Sequence, residues 1–408
     1  MPWSGSGGRI VGSMAVAMMA LTGALPIPRL AVSPTAGAAQ AEPAPAEAAS
    51  PELKKRMAVY RKKLAEYNKA FGAYEKLAVP YWSKVTEKRK SRRARRASGQ
   101  RITLDDYVLD QPPIYTGPPK PVDPAEEKKP PPRIIPIVED FLENAKQHFG
   151  FTPQAPASEV EYKRAYAKAA AAAGLAKEAC VKIYGFESGG NGKYDVQAGL
   201  EYDTPGAHAI STALGYNQLL TTNSVELAAE AGDKLLSAVS ALADGAGGDR
   251  KARLQEKIVA LEKMIAFARS VPDTWEAHGK LATTPKGLGV HALNLDIDVG
   301  PLLQTEKLLT SVVFARKSGY TAPLTAAELE MMNLTGDGNG FDMVRMSQEL
   351  REKVPTSNFF QRGGYERNPV ASRNNTVAKL LGATDAKMEK EKKLQGAKDL
   401  AAAFETLP

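Results

Sequence analysis

Ten prolines fall between Gln111 and Pro136, among them Pro112-Pro113, Pro118-Pro119 and Pro130-Pro131-Pro132. Each proline fixes φ and removes a backbone donor, so neither a packed helix nor a central strand can pass through this stretch. It is expected to run as polyproline II, a semi-rigid spacer of about 3.1 Å per residue, and to separate two helical parts of the chain. The boundary is drawn as a Pro-rich linker over residues 111–157. The 408 residues leave room for two to three domains of ordinary size.

On the amino-terminal side, Arg9 precedes an apolar run from Ile10 to Ile27, and small residues follow at Ala36-Gly37-Ala38 and Ala39-Gln40-Ala41. That order matches a secretory signal peptide, placed at residues 1–41, and predicts a periplasmic or secreted mature protein. The run contains Gly12, Gly23 and Pro26 and is marginal for a hydrocarbon core of about 30 Å, so a retained anchor is the alternative. No later segment is apolar for long enough to span a bilayer.

Residues 42–110 read as a helical, basic arm. Leu53, Met57, Tyr60, Leu64, Tyr67, Phe71 and Tyr74 alternate by four and three, the seam of a coiled coil or of an amphipathic helix packed within its own domain. From Leu53 to Gln100 there are 16 Lys/Arg against three Glu, ending in Lys88-Arg89-Lys90, Arg92-Arg93 and Arg95-Arg96. Such a run is ordinarily a solvated face. In an exported protein it is also suited to an anionic envelope polymer or protein partner. A nucleic-acid role conflicts with export and lacks an accompanying recognition motif.

Composition removes several classes. One cysteine, Cys180, excludes disulfide stapling and a Cys-rich zinc site. The four histidines stand at no ligand-like spacing. Thr335-Gly336-Asp337-Gly338-Asn339-Gly340 lacks the alternating carboxylates and terminal Glu of a calcium loop. No metal or cofactor is expected.

After Pro156 the sequence predicts an almost entirely helical domain over 158–375, with a helical C-terminal tail over 376–408. Ser158 and Glu161 form a capping box, and Gly174 stops the first helix. Further helices are expected over 175–187, 224–244, 250–269, 302–317, 326–333 and 341–353.

The chemistry centres on the end of the second of these. Cys180, Ile183, Tyr184 and Glu187 occupy one stripe, so a carboxylate shares a face with residues that favour burial. Burial and the negative end of the helix dipole both disfavour its anion. A carboxyl that keeps its proton near neutrality is what a general acid requires.

Glu187-Ser188-Gly189-Gly190 is followed by Ser211 and by Gly215-Tyr216-Asn217-Gln218-Leu219. This pairing resembles the lytic transglycosylases of the lysozyme-like superfamily, in which the catalytic Glu closes a helix as Glu-Ser and a G-x-x-Q-L segment lines the cleft. That family's late Tyr-Asn-x-Gly turn is matched here by Met332-Asn333-Leu334-Thr335-Gly336, with the Tyr absent and the Asn one residue early.

The resemblance implies a mostly α, lysozyme-like helical catalytic domain behind the basic arm and Pro-rich linker. It implies Glu187 as sole catalytic acid and base, cleaving peptidoglycan to 1,6-anhydro ends. Ser188, Ser211, Gly215, Tyr216, Gln218, Asn333 and Gly336 would meet substrate. Phe360 and Tyr365, in an aromatic Gly-rich stretch, are either a packed closing loop or a wall of that cleft.

A two-carboxylate glycosidase needs a second acid roughly 5–10 Å away. Asp195, Glu201 and Asp203 are the candidates along the chain, in an expected loop with Tyr194, Tyr202 and His208. None stands out, which leans toward transglycosylation. The alternative is a non-catalytic cell-wall-binding or scaffold protein on the same domain.

Overall fold

The computed structural model describes residues 51–124, 135–200 and 206–407. The expected signal segment, most of the later prolines, Glu201 and Asp203 lie outside them. Most of the described residues are helical, and the few β contacts are isolated bridges. No described helix is long and apolar enough to cross a membrane. The described residues form two units, one before residue 125 and one from Ile135 onward.

The first unit is a hairpin of helix and extended chain. Helix α1 runs Pro51–Ala97 as one piece. Its four-three stripe continues beyond the aromatic seam into Ala78, Trp82, Val85 and Arg92, all buried. The following segment returns along that stripe: Tyr81 donates to the Asp110 carbonyl (3.0 Å), and the Tyr115 ring lies 5.6–6.0 Å from the rings of Tyr67, Phe71 and Tyr74. The returning proline-rich chain therefore meets Tyr67, Phe71 and Tyr74 of the expected seam through Tyr115.

The arginine run is not wholly a solvated face. Arg92 is fully buried, donates to the Asp106 carbonyl at 3.0 Å and stacks 4.5 Å above the Tyr107 ring. Arg95 pairs with the Asp106 carboxylate at 3.2 Å. Lys84, Lys90 and Arg93 stay exposed, off the buried stripe.

The second unit begins inside the expected linker, with α2 at Val138–Phe149. The last proline of the run, Pro136, is already behind it. Asp140 accepts from the Ile137 amide at 2.8 Å, and Phe141, Ala145 and Phe149, four apart, enter the core. A linker through residue 157 is thus corrected: helix formation resumes as soon as the backbone donors return.

The chain continues as α3 (Glu159–Ala172), α4 (Lys177–Glu187), α5 (Thr221–Glu230), α6 (Gly232–Asp244) and α7 (Gly248–Ala268). Then come α8 (Trp275–Ala282), α9 (Pro285–His291) and α10 (Gly300–Lys317). The last group is α11 (Ala326–Thr335), α12 (Asp337–Val344), α13 (Gln348–Lys353), α14 (Arg362–Glu366), α15 (Pro369–Arg373), α16 (Val377–Glu391) and α17 (Gln395–Glu405).

Two expected helices are each split. Ala231, at φ −102° and ψ 5°, divides α5 from α6, and a Cβ at the adjoining Gly232 would stand 2.8 Å from Ile265 of α7. Ser347 starts a new helix by accepting from the Leu350 amide.

The main core joins Phe141, Phe149, Leu219, Val225, Leu261, Ile265, Val290 and Leu293. Burying side chains of this size contributes about 1.5–3 kcal/mol each. A buried ion cluster closes one end: Lys257 lies 2.7 Å from Asp296, and Asp298 also receives Arg250.

The described part of the expected C-terminal tail, residues 376–407, is not separate from the domain. Helices α16 and α17 pack on α3, α4 and α11, burying Val377, Leu380, Met388, Ala397 and Leu400.

Candidate active site

Helix α4 ends at Glu187, as the Gly189-Gly190 pair predicts, and the last part of the chain fixes that end. Lys182 Nζ reaches Glu389 at 2.6 Å and Asp385 at 3.1 Å, tying α4 to α16. The Ala397 amide donates to the Gly190 carbonyl at 3.0 Å and the Gly396 amide to Asn191 Oδ1 at 3.0 Å. Gly185 and Gly190 let α16 approach closely: a Cβ on Gly190 would meet the Glu391 carbonyl at 2.7 Å.

The Glu187 carboxyl faces α11. Asn333 Nδ2 donates to Glu187 Oε1 at 3.1 Å, although Asn333 sits one place early relative to the family turn. Glu330, one turn before Asn333, is 2% exposed and stands beside Glu187, whose charge acts on it. Two carboxyls therefore meet here, and the second is a residue of the expected 326–333 helix that was not among the expected site residues. Its signal was available: Glu330 is a lone carboxylate inside Leu329-Glu330-Met331-Met332, the same pattern that drew attention to Glu187.

Burial raises the pKa of Glu187 above the ordinary glutamate value. The neighbouring Glu330 carboxyl, the charges of Lys387 and Lys307 and the Asn333 hydrogen bond work against it. Burial raises Glu330 further, and there the Glu187 charge adds to the rise.

Lys307 on α10 is the cation shared by a wider carboxyl group. It acts on Glu226, which burial pushes up to about 7 with help from Glu230, Asp273 and Asp337. Asp337, at the start of α12, accepts from Ser311 Oγ at 2.6 Å, and burial raises its pKa too. Glu187, Asn333, Lys307, Asp337 and Glu226 are all partly accessible. Among the described residues, no group of His, Cys, Asp or Glu converges as a metal ion would require.

The residues expected from the Gly215–Leu219 segment serve a different purpose. Leu214 and Leu219 exchange backbone hydrogen bonds at 2.9 and 3.0 Å, closing a tight turn through Gly215 at φ 79° and Gln218 at φ 45°. Tyr216 is fully buried at the centre of Tyr162, Tyr166 and Tyr184, with ring centroids 4.7–5.4 Å away, and donates to Glu159. Its faces are covered by protein.

Gln304, also buried, accepts from the Asn217 amide at 2.8 Å and donates to the Leu214 carbonyl at 3.1 Å. A Cβ on Gly215 would lie 2.4 Å from Gln304 Nε2, so the glycine makes room for Gln304. Gln218 Nε2 donates to the Gly215 carbonyl at 2.8 Å and the Val196 carbonyl at 3.2 Å. Ser188 Oγ donates to the Tyr184 carbonyl at 2.6 Å, and Ser211 Oγ accepts from Ala213 at 2.9 Å.

Phe360 and Tyr365 are buried against each other at 6.0 Å, the packed closing loop of the two readings. Gly336, exposed at φ 81°, forms the junction of α11 and α12. Of the expected residues, the structure brings Asn333 to Glu187. Gly215, Tyr216 and Gln218 form a separate structural hub.

The hub supplies a stability test. Gly215→Ala combines a left-handed backbone with a clash at Gln304 and is expected to cost about 2–4 kcal/mol. A denaturant midpoint unchanged from wild type would contradict this role.

No protein-family model, no curated protein and no solved structure matches this chain.

Proposed function

We propose that the chain is an exported peptidoglycan lytic transglycosylase, with Glu187 as general acid and then general base. The observation that carries this reading is Glu187, a half-buried residue whose carboxyl is raised in pKa by burial and held by Asn333 Nδ2 at 3.1 Å. Protonated Glu187 gives its proton to the glycosidic oxygen between N-acetylmuramic acid and N-acetylglucosamine as the C1–O bond breaks. Its carboxylate then removes the proton of the muramic 6-hydroxyl, whose oxygen closes on C1. The acid is regenerated and no water is consumed, so this route needs no second group to activate a nucleophilic water.

Purified protein incubated with peptidoglycan is expected to release muropeptides with 1,6-anhydro ends. Reducing ends in their place would mark a hydrolase. The reading also predicts a falling alkaline limb in rate, because activity is lost as pH rises through the raised Glu187 pKa.

A second reading, a non-catalytic wall-binding or scaffold protein, draws support from the late turn, where the family's Tyr is absent and Asn333 stands one residue early. Under either reading the exposed basic side of α1 is suited to an anionic envelope polymer. Binding of full-length protein to such a polymer would weaken steeply with added salt, the Debye length falling from about 10 Å at 0.1 M to about 3 Å at 1 M.

A further inference from the structure

We propose that Glu330 is a positioning residue that presents a protonated carboxyl to Glu187 and donates a hydrogen bond to it while Glu187 is negative. This rests on the proposed role of Glu187 and adds a partner to it. Glu330 and Asn333 stand three apart on α11, so both face the end of α4. Asn333 reaches Glu187 Oε1 at 3.1 Å, which sets Glu330, one turn away on the same face, beside that carboxyl, where the Glu187 charge adds to the rise in its pKa. Two carboxyls can share a hydrogen bond only if one carries a proton.

The geometry assigns that proton. Glu330 is 2% exposed, and among the described residues no donor reaches its buried Oε2. A carboxylate so placed would leave a charge dry and without a donor, at a cost of several kcal/mol. Glu187 is partly accessible and has the Asn333 amide. The charged groups acting on the pair are Lys307 from α10 and, on Glu187, Lys387 from α16, which favours charge on Glu187. Lys387 is itself held over the Phe186 ring at 4.1 Å.

Through the reaction the Glu330 proton stays on Glu330. When the Glu187 O–H bond breaks toward the leaving oxygen, the new carboxylate accepts from Glu330 and from Asn333. When Glu187 takes the 6-hydroxyl proton, that stabilisation relaxes. The hydrogen bond is thus stronger when charge has developed than in the resting state, which is the condition for lowering a barrier. A carboxylic acid kept neutral by an apolar site to act as a donor has precedent in enzyme chemistry.

The test is a carboxyl NMR titration of glutamate-labelled full-length protein, with kcat/KM on peptidoglycan measured across pH. The variants are Glu330→Gln, which keeps a neutral donor, and Glu330→Leu, which removes it. The Glu187 titration is expected to stay within about half a pH unit of wild type in Glu330→Gln and to rise by about one unit or more in Glu330→Leu. Activity is expected within about tenfold of wild type for Gln and about a hundredfold lower for Leu, with the alkaline limb of Leu moved upward.

A Glu187 titration that falls by a unit or more in Glu330→Gln would show that Glu330 carries charge, and would overturn the proposal. So would an unchanged titration in Glu330→Leu. If Glu330→Leu does not fold, the Gln titration decides alone. Expected titrations in a wild-type protein that leaves peptidoglycan intact would overturn the glycan reading and leave the pair standing.

Discussion

Replacing Glu187 by Gln is expected to lower peptidoglycan cleavage by about a thousandfold, within the range assigned to a lost general acid or base. The fold should survive, because Gln has the same shape and its carbonyl accepts from Asn333 where Glu187 Oε1 does. The loss is therefore to be read beside thermal melting at several pH values.

The sign of the stability change follows from linkage. Burial raises the folded-state pKa of Glu187 above its unfolded value, so its contribution to stability is fully present below the unfolded pKa. That contribution is lost as pH rises through the folded pKa. The variant has no such titration, so it should match wild type in acid and exceed it above that window. A variant less stable than wild type at every pH would mean that the carboxyl is structural.

Deleting residues 376–408 is expected to abolish soluble folded protein. The deletion uncovers Tyr184 and Gly185 on α4 and Gly190 just beyond its end, and removes the buried Val377, Leu380, Met388, Ala397 and Leu400. Four of these are fully buried large apolar side chains or close to that size, worth about 1.5–3 kcal/mol each. Their sum is comparable to the whole stability of an ordinary domain, about 5–15 kcal/mol. The deletion also cuts the Lys182 links to Asp385 and Glu389. Expression of residues 135–375 as a cooperative, protease-resistant domain would contradict this account of how the Glu187 helix end is held.

Local signals were the readable part of the chain. Ser158 capping, the Gly174 stop and the end of α4 at Glu187 depend on neighbours within a few residues, and each occurs where the sequence placed it. Helix α2 was hidden by the prolines before it, although Phe141, Ala145 and Phe149 carried the four-residue spacing of a buried face. The role of α16 and α17 depends on contacts across about two hundred positions, such as Lys182 with Asp385, which no periodicity encodes.

The candidate site divides in the same way. Glu187 was legible because burial-prone residues share its stripe. Glu330 shows the same contrast within α11, but its partner lies 143 positions away (330 minus 187) and only folding joins them. Tyr216 misled for a chemical reason: a tyrosine suits a sugar face or a buried hydrogen bond equally well, and here Glu159 takes its hydroxyl.

The most direct measurement is a digest of purified peptidoglycan in heavy-oxygen water, with the released ends weighed by mass spectrometry. Intramolecular closure by the 6-hydroxyl leaves anhydro ends that carry no solvent oxygen, which is the expected result. Ends labelled from the water, or an intact polymer after prolonged incubation with folded protein, would contradict it.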